Sequence, residues 1–325
     1  MGKDKSIEIP KYSFNRSAEL DPEEKEEIVE YMEKAVTEWP AELLEITPER
    51  KEKIRQILES QIEWIEKYLS LSANRNFLHG DKIKFYDFEE FRKIFPFPDI
   101  RGESRIMFRS KEIFSLEIEG HERQTLAFLA HELVHAMARH SLFVERSEKD
   151  GEHLKILKEF MTGYENVRTK TFFFLNEIVT EMIKIEILDY MRRGKREDLL
   201  TGVSIAYHPA VIFFNKVVEK AAEKLNSSAE DLRKRIYTGY FVGDIKALKI
   251  FEEAFGKGTL KEFAQLRRNT NFSEWQLYEN LCKKLGVDSS EVREEFRKYE
   301  NNKEIEILGG IKLRRYLLPT ATRSK

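Results

Sequence analysis

The chain has a single cysteine, Cys282, among 325 residues, which excludes an internal disulfide framework and any metal site built from several thiolates. It has no run of about 18 apolar residues, the length that a membrane-spanning helix requires. Its first residues, MGKDKSIEIPKYSFNRS, contain no apolar stretch of signal-peptide length. An excess of one charge is also missing, since 56 Lys plus Arg face 58 Asp plus Glu and leave a formal charge of -2. That balance argues against a dedicated nucleic-acid binder and describes solvated helix faces instead. These absences together predict a cytoplasmic protein with no membrane and no nucleic-acid partner. What is present is 41% hydrophobic and 35% charged residues, enough apolar material for one large core or two modest ones and too much for disorder throughout. A metal bound by this chain must be held by histidines and carboxylates.

Four regions follow from the composition along the chain. Residues 1–20 are polar, with Pro10 and no clear period, and read as a flexible tail. Residues 21–75 read as a helical N-terminal arm. Asp21-Pro22 opens one helix to about Thr37, and Thr47-Pro48-Glu49 opens a second whose apolar positions Ile54, Ile57, Leu58, Ile62, Ile65 and Leu69 keep helical spacing. Residues 76–205 form the expected core. It holds two strands, Ser104 to Phe108 and Glu112 to Ile118, then a helix-forming run from Thr125 to His140 that is apolar nearly all round. Residues 141–170 are polar and read as a loop with a short helix at His153 to Phe160. A second apolar helix, from about Thr171 to Arg193, is closed by Gly194. Residues 206–325 read as a helical C-terminal lobe. Its helices are opened by Pro209 and by capping boxes at Ser227 with Glu230 and Ser273 with Gln276, and Gly256 and Gly286 mark helix ends. Gly309-Gly310 forms the turn of a terminal hairpin.

His131-Glu132-Leu133-Val134-His135 matches H-E-x-x-H inside the first apolar helix. Residues i and i+4 lie one turn apart on one face, so both imidazoles can reach one zinc ion. Glu132 sits about 100° round the helix, where its carboxylate can address an activated water without being a ligand. With seven histidines in the chain, a shuffled sequence would contain the pattern about 0.02 times. Two histidines and a glutamate in a buried helix each cost about 1–3 kcal/mol if unsatisfied, and a metal satisfies all three. Catalytic zinc needs a third protein ligand. The extended motif that would supply a third histidine fails, because Ala138 and Ser141 occupy its positions and His140 is displaced by one residue. The second apolar helix offers instead a narrow polar stripe of Asn176, Glu177, Thr180, Glu181 and Lys184, from which one facing carboxylate could complete the site.

HELVH on one helix followed by Asn176-Glu177-Ile178-Val179-Thr180-Glu181 on the next resembles the gluzincins, the thermolysin-like zinc metallopeptidases. The resemblance covers roughly residues 100–215. It implies an α+β zincin fold, with a small twisted, mostly antiparallel sheet packed on the active-site helix. It implies His131, His135 and Glu177 as zinc ligands, Glu132 as general base, and Glu181 and Asn176 as groups that orient a ligand imidazole. Two departures stand. The stretch from His135 to Glu177 is longer than in compact members, which implies an inserted subdomain or a third ligand elsewhere. Glu181 replaces the commoner Asp, which leaves Glu177 and Glu181 both open as the ligand. The family also uses a Tyr or His to donate to the oxyanion, for which Tyr207 and His208 are the first candidates, followed by Tyr164, Tyr237 and Tyr240. By analogy, the strand Glu112 to Ile118 would be the edge to which a peptide substrate adds. The expected activity is hydrolysis of peptide bonds in a peptide or protein substrate. The alternative is a zincin-shaped binding or regulatory protein that retains zinc without catalysis and uses the arm as its interaction surface.

Overall fold

A computed structural model of the chain describes residues 7–8, 12–14, 20–26, 28, 45, 47–73, 83–86, 102–107, 110–116, 122–146, 154–166, 169, 171–194, 208–266, 275–290, 292–294 and 297. The elements in chain order are β1 (Ile7–Glu8), β2 (Tyr12–Phe14), α1 (Pro48–Leu69), β3 (Leu71–Ser72), β4 (Ile83–Tyr86), β5 (Gly102–Met107), β6 (Ser110–Leu116), α2 (Glu122–Met137), β7 (His140–Arg146), β8 (Leu154–Thr162), β9 (Glu165–Asn166), α3 (Phe173–Arg193), α4 (His208–Leu225), α5 (Ala229–Val242), a 3-10 turn (Ile245–Leu248), α6 (Lys249–Phe255), α7 (Thr259–Ala264) and α8 (Trp275–Leu285). The architecture is α+β. Among the described residues, no helix is long and apolar enough to cross a membrane.

Local chemistry explains most helix starts. Asp21 and Glu24 form a reciprocal capping box, each side chain accepting from the other's backbone N–H at 2.8 and 2.9 Å. Thr47 caps α1 by accepting from Arg50 N, with Pro48 at the first helical position. The cap of α5 is Ser228 and not Ser227, because Ser228 Oγ accepts from Asp231 N at 3.0 Å. Gly194, Gly256 and Gly286 close helices as expected. The remainder of the first arm helix, the Ser273 cap and the terminal hairpin at Gly309-Gly310 lie outside the described residues.

Three expectations are corrected. The described residues of the stretch 141–170 form a sheet, with β7 and β8 antiparallel over His140–Arg146 and Leu154–Thr162 and β9 added antiparallel to β8. Two register shifts, at Ser141/Leu142 and Phe143/Val144, bend the β7–β8 pair. The sequence LKILKEFMT of β8 is rich in helix-forming Leu, Lys and Glu, and pairing with β7 overrides that propensity. The tail is tied down as well, since β1 pairs in parallel with β3 (Ile7↔Leu71) and β2 with β7 (Tyr12↔His140). Finally, β6 is the central strand of the order β4-β6-β5, parallel to β4 and antiparallel to β5. Both of its hydrogen-bonding edges are used, so the described part of the stretch Glu112 to Ile118, up to Leu116, offers no edge for a peptide to join.

The sheet lays β5 and β6 against α2. Behind α2 stands α3, flanked by α1, α4 and α5. The 48–69 part of the arm therefore belongs to the core. Ile54, Ile57, Trp64, Ile65 and Leu69 are buried in the same apolar cluster as Leu133, Ile178 and Tyr237, and Gln61 Nε2 donates to Ala130 O at 2.8 Å, on the residue before His131.

Candidate metal centre

The first apolar helix ends three residues earlier than its sequence pattern, at Met137. His140 consequently begins β7 and turns back, donating from Nε2 to His135 O at 3.3 Å. It adds a second donor to a carbonyl of the last turn that Ala138 N also reaches, at 3.1 Å.

His131 and His135, one turn apart on α2, present their Nε2 atoms to each other at 3.2 Å. Glu177, from the first turns of α3, spans the pair. One oxygen lies 3.3 Å from His131 Nε2 and the other 3.2 Å from His135 Nε2. The two imidazole nitrogens and the Glu177 oxygen nearest each of them lie at separations close to the edges of a tetrahedral ion, about 3.3–3.4 Å when the bonds are about 2.0–2.1 Å. Of the described residues, His131, His135 and Glu177 form the one group of three His, Cys or carboxylate side chains close enough to hold a metal. The donor set of two neutral imidazoles and one carboxylate suits zinc and leaves a fourth position open. The long connection from His135 to Glu177 is thus an inserted sheet whose ends return to the site.

The backs of the imidazoles are held differently. His131 Nδ1 donates to Glu181 Oε2 at 2.8 Å. Because a carboxylate only accepts, Nδ1 of His131 carries a proton, which leaves Nε2 as the nitrogen that a metal would take. Glu181 Oε1 meets the Lys184 ammonium at 2.5 Å, and both side chains are almost entirely buried. Glu181 therefore lies behind His131, away from the two Nε2 atoms, which separates it from Glu177. His135 Nδ1 lies 3.1 Å from Tyr240 OH and 3.3 Å from Thr180 Oγ1. These two hydroxyls are 2.7 Å apart, and Thr180 donates to Asn176 O at 2.8 Å.

Charge organises the cluster. Burial alone disfavours the His131 imidazolium, but Glu177 and Glu181 outweigh it and raise the pKa to about 10. Burial lowers His135 too, against the stronger pull of Glu177, and the net direction is up. Glu177, which burial would raise, is held well below the carboxylate range by His135 and His131, and Glu181 is lowered chiefly by Lys184. Without a metal, protons fill the space between these donors. Glu132 is half-buried beside them, and its charge acts on His131, His135 and Tyr240.

The remaining candidates separate clearly. Asn176 touches neither imidazole. Its Oδ1 accepts from Tyr164 N at 2.9 Å, and its buried Nδ2 has no acceptor among the described residues. Tyr164 donates its hydroxyl to Ile236 O, and Tyr237 packs on Trp64, with ring centroids 6.0 Å apart. Tyr240 stands behind His135, on the side away from Nε2. None of the three tyrosines faces the open position. Tyr207 lies outside the described residues, and His208 is described only as the first residue of α4. Sequence reasoning missed the contact of Tyr240 and Thr180 with His135, for which no local signal exists: Tyr240 is 105 positions from His135.

Two Gly-Tyr pairs interlock beside the site. A Cβ on Gly163 would lie 2.6 Å from both the Tyr240 ring and Asn176 Oδ1, while a Cβ on Gly239 would lie 2.5 Å from Tyr164 OH. Each tyrosine sits over the glycine that precedes the other, with ring centroids 5.9 Å apart and edge to face.

No protein-family model matches this chain, and neither does any curated protein or solved structure.

Proposed function

We propose that this protein is a zinc-dependent metallopeptidase of zincin type, with His131, His135 and Glu177 as its metal ligands. The observation that carries the reading is the convergence of the two imidazole nitrogens, 3.2 Å apart, on the Glu177 carboxylate, whose two oxygens lie 3.3 and 3.2 Å from them, with Glu132 on the turn that supplies both histidines. When bound, zinc lowers the pKa of a water to about 7 and polarises a carbonyl oxygen. Glu132 accepts the proton that the attacking water gives up and returns it to the leaving amide nitrogen. Glu181, neutralised by Lys184, keeps His131 oriented through the Nδ1–H bond. The substrate class is peptide or protein.

The test pairs metal analysis with turnover of a peptide library. Glu132→Gln is expected to keep about one zinc per chain and lose hydrolysis by a factor of about 10² or more, the range for a lost general base. His135→Ala is expected to lose both metal and turnover. Hydrolysis retained in either variant would sink the assignment. Zinc uptake with no turnover by the unaltered protein would favour a zinc-bearing binding protein instead.

A further inference from the structure

We infer that Tyr240 and Thr180 set the tautomer and orientation of His135, so that the C-terminal helical lobe decides how well the metal is held. The inference rests on the zinc-site reading above and adds positioning residues to it. Its basis is a count of protons. Asn176 O is a carbonyl and can only accept, so the single Thr180 hydroxyl proton is committed to it at 2.8 Å. Thr180 Oγ1 must then accept from Tyr240 at 2.7 Å. With its own proton spent, Tyr240 OH can only accept from its other neighbour, His135 Nδ1, at 3.1 Å. The chain runs one way, from His135 through Tyr240 and Thr180 to Asn176. It commits His135 Nδ1 as the donor to Tyr240, so Nε2, which faces His131 Nε2 and Glu177, is the nitrogen presented to a metal.

The two imidazoles are thus prepared by different means. His131 is held by a carboxylate from α3, the helix that also carries Glu177. His135 is held by neutral hydroxyls, one of which comes from α5, far along the chain. All members of the chain are buried: Thr180 and Tyr240 at 0% and Asn176 at 1% exposure. The interlocked Gly163-Tyr164 and Gly239-Tyr240 pairs prevent Tyr240 from backing away, since its ring has no room on the Gly163 side.

The direction of the chain gives the test a signature that loss of packing would not produce. Thr180→Val removes the acceptor for the Tyr240 proton. Tyr240 is then free to donate to His135 Nδ1, which moves the imidazole proton to Nε2, the atom that must bind zinc. In the zinc-loaded protein, ¹H–¹⁵N spectra of the histidines should show the wild-type His135 Nδ1–H resonance shifted or lost. Zinc affinity, measured by competition with a chromophoric chelator, should fall about 10- to 100-fold. Thr180→Ser should restore both. Tyr240→Phe, which keeps the ring, should weaken zinc binding in the same range, and the double variant should be little worse than either single one because both break the same chain. Far-UV circular dichroism of the metal-free variants checks that they remain folded, with Thr180→Ser as the rescue if the valine variant does not. Wild-type affinity and an unchanged His135 Nδ1–H resonance in Thr180→Val and Tyr240→Phe would overturn the inference while leaving the zinc site intact. A wild-type protein that takes up no zinc would overturn the zinc-site reading and this inference with it.

Discussion

At the scale of single residues, the buried pair of Glu181 and Lys184 is the most exposed to mutation. Lys184→Met leaves a carboxylate in a dry interior without its cation, a loss of about 3–5 kcal/mol where one partner of a buried pair is removed. Urea denaturation of the metal-free protein should show a lower midpoint of that size, and an unchanged midpoint would mean that the ammonium does not balance Glu181. Protons give a second prediction. The free His131 imidazole holds its proton up to about pH 10 under the influence of Glu177 and Glu181, but zinc requires a bare Nε2. Zinc uptake near pH 8 should therefore release about one proton. Calorimetry in buffers of different ionisation enthalpy measures this, and a heat independent of buffer would count against it. The pairing of His131 with His135 and the place of Glu132 beside them were legible in the sequence because helical phase sets them, whereas Glu177 was reached only through the resemblance. The choice between Glu177 and Glu181 was not legible, since the two are one turn apart on the same stripe and differ only in which side of His131 they meet.

Among the elements, the second apolar helix explains why its polar stripe exists. Glu177 meets both imidazoles, Glu181 backs His131, Thr180 backs His135, Lys184 balances Glu181 and Asn176 holds the turn at Tyr164. A pattern read as a supply of one ligand is the wiring of the whole centre. The insertion between the two helices was illegible for a different reason. Strand pairing in β7 and β8 depends on partners that a periodicity cannot display, and β8 is composed of residues that favour a helix elsewhere. That insertion ends in the turn of Gly163, whose positive φ of 51° and contact with Tyr240 leave no space for a methyl group. Gly163→Ala should destabilise the fold by about 1–3 kcal/mol. It should also weaken zinc binding, although Gly163 is no ligand, by displacing Tyr240 from His135. A melting curve and a zinc titration on the same preparation separate the two effects. Weakened folding with an unaltered zinc affinity would show that Tyr240 tolerates the shift.

For the molecule as a whole, the arm, the core and the C-terminal lobe are joined where sequence composition divides them. Helix α1 reaches the residue before His131 through Gln61, and α5 reaches His135 through Tyr240. Metal binding should therefore be felt by the global transition. Zinc at 100 times its dissociation constant should add about 2.7 kcal/mol to the free energy of unfolding, and chelation should remove it. A single transition that shifts upward with zinc is expected. A zinc-insensitive transition of the C-terminal helices, followed by tryptophan or by hydrogen exchange, would show that the lobe unfolds on its own.

The interlocked glycine-tyrosine pairs carry a consequence in time. Both histidines and Glu177 leave the ribosome well before Tyr240, which follows His135 by 105 positions, and closing so long a loop is an entropic cost met late in folding. A growing chain thus owns every metal ligand before it owns the part that aims one of them. By this order of assembly, a nascent protein carries an incomplete centre, and the proposed hold on the metal is completed only once Tyr240 has been made and has closed over Gly163.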